Sequence, residues 1–485
     1  MSRSFFIVQF FITVSCSLSA QYAGCGQRIH LQQLSEIDTL VPPQREFGQP
    51  VLETLGINLA VWSWDRFVQR RDWSNVTSRT INYNLHAPFV LDYDSYSGNQ
   101  FSHPFHGSMF FNTARYHGAN YYAAALYPLL GSMTWEYFCE RNPPSINDIL
   151  STGVGGSIIG EATHRMSDLI FDNSKTGVQR FASEIFGSIL NPPRGIHRIL
   201  SGEAWRISNK RGKRVKPEPF SIDMGVGNRH MAELRGERRN QNLPFLSFNL
   251  NYGNRFTPSN HHVPFDFFRM HILFNIAEKC PTFNDIDIRG RLISHQFKTK
   301  DGSHHNIGLH QVYRYIDNYG EKGNIRAGQF PIINEACSFG FAIASEKCNT
   351  RTTWCHELMT DGIAFGGTTS DYFQPRTYNF AQGFSLRDEL SFCLHRRLTI
   401  GNDFYFARLF VHNGCDDPTR TSDFFWGDQG TNSIFLNRSY LHCNLISNIR
   451  LCAEYALYYR RSHYTHYPNV HAKSHEHKIG ILYGL

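Results

Sequence analysis

The sequence predicts a mainly β protein: a transmembrane antiparallel β-barrel of about 10–12 strands, with an N-terminal helical segment plugging or capping the lumen. Three observations predict it. After about Phe220 the apolar period drops from the helical value to strict alternation. The 485 residues include 39 Phe and 23 Tyr yet are only 41% hydrophobic, and the mean hydropathy is negative. A barrel strand meets lipid only at every second residue, so this half-polar mixture suits strands better than membrane helices. Finally, His477, Ile479, Ile481, Tyr483 and Leu485 fall on one face of a strand that runs to the last residue.

Residues 1–20 read as a cleaved signal peptide. Arg3 supplies the positive start, Phe5 to Val14 an apolar run too short to span a bilayer, and Ser15 to Ala20 a small-residue stretch before Gln21. Lipidation of Cys16 is the alternative. The expected location is the outer membrane of a Gram-negative bacterium. The net charge of +7 is scattered and forms no basic stripe, so no nucleic-acid partner is expected. Beyond the signal no CxxC unit appears. Cys348 and Cys355 enclose a short loop and are the expected local disulfide, whereas Cys443 and Cys452 sit on strands.

Residues 21–102 are polar and lack long periodicity, which predicts an extended periplasmic lead-in with a few short elements, Val51 to Phe67 being a helix or strand. Residues 103–204 change to helix. Tyr121 to Glu140 is apolar and Ala-rich, and Pro128 predicts a kink or split. Pro143 and Pro144 stop it. Ser145 with Asp148 resembles a capping box, opening a helix to about Phe171. Within that helix Thr152, Gly156 and Gly160 recur every four residues, a stripe that predicts close approach of another backbone. Val178 to Leu190 forms a third helical pattern, ended by Pro192 and Pro193.

Residues 205–485 are assigned to the barrel. Phe220, Ile222, Met224 and Val226 alternate with polar or small residues, as do Leu246, Phe248, Leu250 and Tyr252, then Phe268, Met270, Ile272, Phe274 and Ile276. Later runs repeat this at Phe339, Phe341 and Ile343, at Leu390, Phe392 and Leu394, and from Leu451 to Tyr459. Tyr252, Phe404, Phe406, Tyr458 and Tyr459 stand where interfacial girdles are expected. Outer-membrane lipid is the expected partner of the outer face. The terminal strand is the expected handle for the barrel-assembly machinery. Histidines at His261 and His262, His304 and His305, and His471 to His477 are expected in loops or barrel ends.

His103-Pro104-Phe105-His106-Gly107-Ser108-Met109, Gly131-Ser132-Met133 with Trp135-Glu136-Tyr137-Phe138, and Pro143 to Asp148 form a set of separated motifs. Gly155-Gly156, Gly160-Glu161 and His164-Arg165 complete it. On these residues His103 to Asp172 resembles the bacterial family catalogued as domain of unknown function 3943, with Cys139 standing where members more often have Gly. The resemblance implies an outer-membrane protein and supplies no activity.

Candidate chemistry therefore rests on residues. Glu136 and Glu140 share one helix face; Glu161, His164 and Arg165 share another. If the helices pack along the glycine stripe, carboxylates and imidazole converge. One reading is a membrane-embedded lipid hydrolase or acyltransferase, with Ser108 as nucleophile, His106 or His164 as base, and Glu136 or Asp148 orienting the ring. A metal bundle of His106, Glu136, Glu161 and His164 lacks a second ExxH pair, so no metal is expected. The favoured reading is bracing: Glu161 pairs with Arg165, Asp148 caps its helix, Glu136 and His164 satisfy each other or inward-facing barrel groups, and the segment plugs or braces the lumen. The function expected is structural or solute or lipid transport, with a small molecule or lipid as ligand class and no cofactor assigned.

Overall fold

The computed structural model describes residues 46–216, 218–233, 241–256, 263–276, 281–317, 332–422, 424–446 and 448–485. The signal peptide, Cys16, Cys25, Cys280, His261 and His262 lie outside the described residues. The chain divides into a helical unit, within residues 46–216, and a barrel unit over 218–421 and 425–485.

The barrel is closed and antiparallel. Its strands are β1 (Phe220–Glu233), β2 (Gln241–Tyr252), β3 (Phe268–Asn275), β4 (Phe283–Lys298), β5 (His304–Asp317), β6 (Ile332–Cys348), β7 (Thr352–Thr369), β8 (Tyr378–Leu394), β9 (Leu398–Val411), β10 (Gly430–Ile446), β11 (Ile449–Tyr464) and β12 (Val470–Gly484). Each pairs with its sequence neighbour, and β1 closes on β12 from Asp223 opposite Gly484 to Glu233 opposite Ser474. Closure satisfies every ladder without leaving an edge.

Alternation decides which side chains face out. On β6 Phe339, Phe341 and Ile343 are exposed, while Ser338, Gly340, Ala342 and Ala344 between them are buried. On β12 Ile479, Ile481 and Tyr483 face out between Lys478, the small Gly480 and Leu482. With Phe384, Leu390, Phe392, Ile400, Leu441 and Leu451 they make an outward apolar belt of a kind that water-soluble surfaces do not carry.

Several expectations are corrected here. Tyr252 and Tyr458 do not join a girdle. Both are buried, and Tyr458 donates to Glu476 Oε2 at 2.7 Å. The Cys348–Cys355 disulfide is not formed, because register sets Cys348 opposite Thr353 and Cys355 opposite Glu346. His471 stands at the start of β12, a barrel end as expected, whereas His475 and His477 lie within the strand.

The helical unit contains α1 (Gly48–Ser63), α2 (Ser78–Asn84), α3 (His103–Tyr116), α4 (Tyr121–Ala124), α5 (Leu126–Phe138), α6 (Ile146–Leu150), α7 (Gly156–Ile170), α8 (Gly177–Leu190) and α9 (Pro192–Leu200). Thus Val51 to Phe67 is helical, continuing from α1 into a π turn at Trp64–Gln69. The split near Pro128 falls at Ala125, and the proline occupies the first turn of α5, where its missing N–H costs nothing. Pro192 and Pro193 likewise stop one helix by starting the next. The expected capping box at Ser145 is absent. Its hydroxyl meets Asn147 Oδ1 at 2.7 Å, and the helix to Ile170 is interrupted by a π turn at Ser151–Gly155.

Candidate functional site

Polar chemistry in the helical unit is organised by the crossing of α3 and α7. A Cβ on Gly107 would lie 2.1 Å from the Thr152 carbonyl oxygen, and one on Gly156 would lie 2.7 Å from the Gly107 Cα. Backbone therefore touches backbone, as the glycine stripe predicts. The aromatic rings of Phe110 and Phe111, fully buried, seal the middle. Ionisable groups are left at the two ends of α3, about 18 Å apart at 1.5 Å per residue.

At the start of α3 lies an acidic cleft of about 580 Å³, lined by Asp92, Asp94, His103, His106, Glu140 and Asp148 among others. A backbone bridge holds it: Val90 N–H donates to the Pro144 carbonyl, and Ile146 N–H to that of Val90. Asn147 is its hub, donating to Asp92 Oδ1 at 3.0 Å and Asp148 Oδ1 at 2.8 Å. Glu136 Oε2 accepts from Ser145 N–H at 2.7 Å. His103 Nε2 is 3.5 Å from Asp148 Oδ1.

Burial raises four of these carboxyls above their ordinary range. Burial, then the charge of Asp92, pushes Glu136 up to about 8 against the lowering effect of the Ser145 N–H. Glu140 is raised well above the ordinary range by burial and by Glu136, and Asp148 by burial and by Asp92. Asp94 rises to about 6 by burial beside Asp92. Glu136 bonds Glu140 and Asp92 bonds Asp148 through their side chains, which requires a proton in each pair. His106 goes the other way, to about 3, through burial and the neighbouring His103. Its Nε2 is buried without a partner, and its ring packs on Phe110 and Trp135.

At the far end the charges are paired. Glu161 is fully buried and accepts from Arg115 Nε and Arg165 Nε, each at 2.8 Å. Burial pulls Asp168 upward, but Arg194 and Lys213 outweigh it and hold the carboxylate below its usual range. Burial, with the surrounding Arg115, Arg194, Arg165 and Arg214, keeps His164 neutral.

The sequence candidates are thus divided between two places. Glu136, Glu140, Asp148 and His106 come together; Glu161, His164 and Arg165 form the other group. Glu136 and His164 do not satisfy each other, and Asp148 does not cap its helix. Ser108 is inside α3 and its hydroxyl donates to the Phe105 carbonyl at 2.6 Å, so the expected serine triad is not assembled among the described residues. The four residues weighed and set aside as a metal bundle are divided likewise, His106 and Glu136 in one group and Glu161 and His164 in the other. Asp92, Asp94 and His103 escaped sequence reasoning. The Asp92-Tyr93-Asp94 alternation was their one local signal.

The barrel interior is a second candidate. Arg289 of β4 bonds Glu389 of β8 at 2.8 Å and Glu357 of β7 at 3.4 Å. Arg269 of β3 also bonds Glu389, and Arg387 of β8 reaches Asp287 of β4 at 3.3 Å. Arg255, between β2 and β3, joins Glu357 at 2.7 Å and Glu389 at 3.2 Å. Beside this lattice is a polar cavity of about 380 Å³ that includes Asp285, Asp403, Arg438 and Glu454. Elsewhere Ile316, Ile333, Tyr405, Leu409, Ile434 and Leu436 pack together as an apolar layer.

No curated protein matches the chain in sequence. Solved structures similar to it include the NanC porin, at 9% identity and TM-score 0.27, covering 54% of this chain and 100% of that one. Another is an anion-selective porin from Comamonas acidovorans, at 7% identity and TM-score 0.23, with coverages of 55% and 98%. A third is the toluene transporter TodX of Pseudomonas putida, at 8% identity and TM-score 0.21, with coverages of 55% and 88%. Likenesses this faint carry no argument about the present chain. Residues 88–193, which hold the α3–α7 crossing and the acidic cleft, match the family described as domain of unknown function (DUF3943), the one its motifs resemble.

Proposed function

We propose that the protein is an outer-membrane β-barrel that anchors its helical unit to the membrane and does not act as an open pore. The outward apolar belt supports membrane residence, because lipid tails are the environment that removes those side chains from water. The observation that carries the closed reading is the set of ion pairs crossing the lumen. Around a ring of 12 strands, β3 and β8 stand five places apart, yet Arg269 and Glu389 bond directly. Breaking one partner of such a buried pair costs about 3–5 kcal/mol, so the braces hold at ambient temperature.

On this reading the barrel needs no plug, and the helical unit carries whatever chemistry the protein has. Solute or lipid transport, the alternative expected from the sequence, would require the braces to part. Liposome swelling separates the two. Vesicles containing the protein should swell in small sugars no faster than empty ones, and porin-like swelling would refute the anchoring role.

A further inference from the structure

We propose that Glu53, His117 and His197 form a binding site for a divalent first-row metal ion, with Zn²⁺ the best fit. The three come from distant parts of the sequence: Glu53 from α1, His117 from the end of α3, and His197 from α9. Their ligand atoms all lie within 4.8 Å of one another. Both imidazoles aim Nε2 at the same oxygen, Glu53 Oε1, at 2.7 Å from His117 and 2.6 Å from His197.

Two further features point to a ligand. Glu53 Oε2 is buried and has no hydrogen-bond partner, so one carboxylate oxygen is left unsatisfied. Each ring is also held from behind. Glu46 Oε2 is 3.6 Å from His117 Nδ1, and Tyr116 stacks on His197 at 4.2 Å between centroids. A carboxylate at the remote ring nitrogen is the usual support of a metal-bound histidine, because it fixes the tautomer that presents the other nitrogen.

Two imidazole nitrogens and one carboxylate oxygen are borderline donors, matched to Zn²⁺. Tetrahedral ligation at about 2.0–2.1 Å sets ligand atoms about 3.3 Å apart, so the carboxylate need withdraw by less than an ångström. His117 is 8% exposed, whereas Glu53 and His197 are 25% and 23% exposed. Three protein ligands with one open, solvent-reached side leave a fourth position for water or a substrate oxygen. The ion would also tie α1, α3 and α9 together.

The test uses the full chain in detergent, stripped by chelator and titrated with Zn²⁺ by calorimetry. One ion per chain should bind. His197→Ala should weaken binding by about 100-fold or more, and Glu46→Gln by about 10-fold. Because the outward histidines of β12 could also take zinc, a His117→Ala/His197→Ala variant that still binds equally well would overturn the proposal. If that variant fails to fold, the wild-type chain decides. Zn²⁺ should protect His117 and His197 from diethyl pyrocarbonate, and equal modification with and without the ion would overturn it.

Discussion

Glu161 lies within α7 and Glu140 just past the end of α5, and the two carboxyls meet opposite electrostatic surroundings. Glu161 sits between two guanidinium groups, whereas Glu140 faces Glu136, Asp92 and Asp94, which together with burial raise it well above the ordinary range. The sign of the pH effect follows. Burial raises Glu136 from 4.5 to about 8, so the folded unit binds more protons than the unfolded chain between those values. Stability from this group is complete below about pH 4 and is lost as pH rises toward 8. Thermal unfolding of the helical signal should therefore occur at lower temperature at pH 9 than at pH 5, and Glu140→Gln should flatten that slope. Glu161→Gln, by contrast, strands Arg115 and Arg165 and should cost about 3 kcal/mol in denaturant unfolding. The Glu161–Arg165 pair was legible in the sequence because it obeys helical spacing. Arg115 and the Asp92–Asp148 pair were not, because their partners are 46 and 56 positions away, a separation no local pattern encodes.

The α3–α7 contact shows at the level of elements what a local pattern does reveal. Glycine costs about 1 kcal/mol in a helix interior, so its recurrence at Gly156 and Gly160 announced a close neighbour, and Gly107 supplies it. Gly156→Val would drive a side chain into that backbone and should destabilise the unit by about 1–3 kcal/mol or more, read as a lower melting temperature of the helical signal. Ser145 teaches the reverse. Its sequence context looks like a cap, but Glu136 takes its N–H and Asn147 its hydroxyl, so tertiary partners displaced the local one. The π turn at Ser151–Gly155 was equally invisible, and its close approach to Gly107 and Leu129 is a tertiary contact that no local pattern encodes.

Across the whole molecule, alternation specified the barrel well: the period of two placed Phe339, Phe341 and Ile343 outward, and the expected range of strands included the observed 12. It could not show which strands talk across the lumen. Arg269 and Glu389 are 120 positions apart, and inward polar residues look alike whether they line water or bond each other. Glu389→Ala should release Arg269 and remove one of the carboxylates that hold Arg255 and Arg289, lowering the temperature at which the barrel loses its resistance to detergent unfolding by several degrees, without changing strand content by circular dichroism.

The central claim, a closed sheet with oily residues outward and polar residues inward, is tested most directly by spin labels placed one at a time from 338 to 344 on β6, in a chain reconstituted into lipid bilayers with its native cysteines replaced. Labels at 339, 341 and 343 should collide readily with dissolved oxygen and little with a water-soluble nickel complex, while labels at the alternate positions should be shielded from oxygen. Strong nickel collision at 339, 341 and 343 would contradict the account.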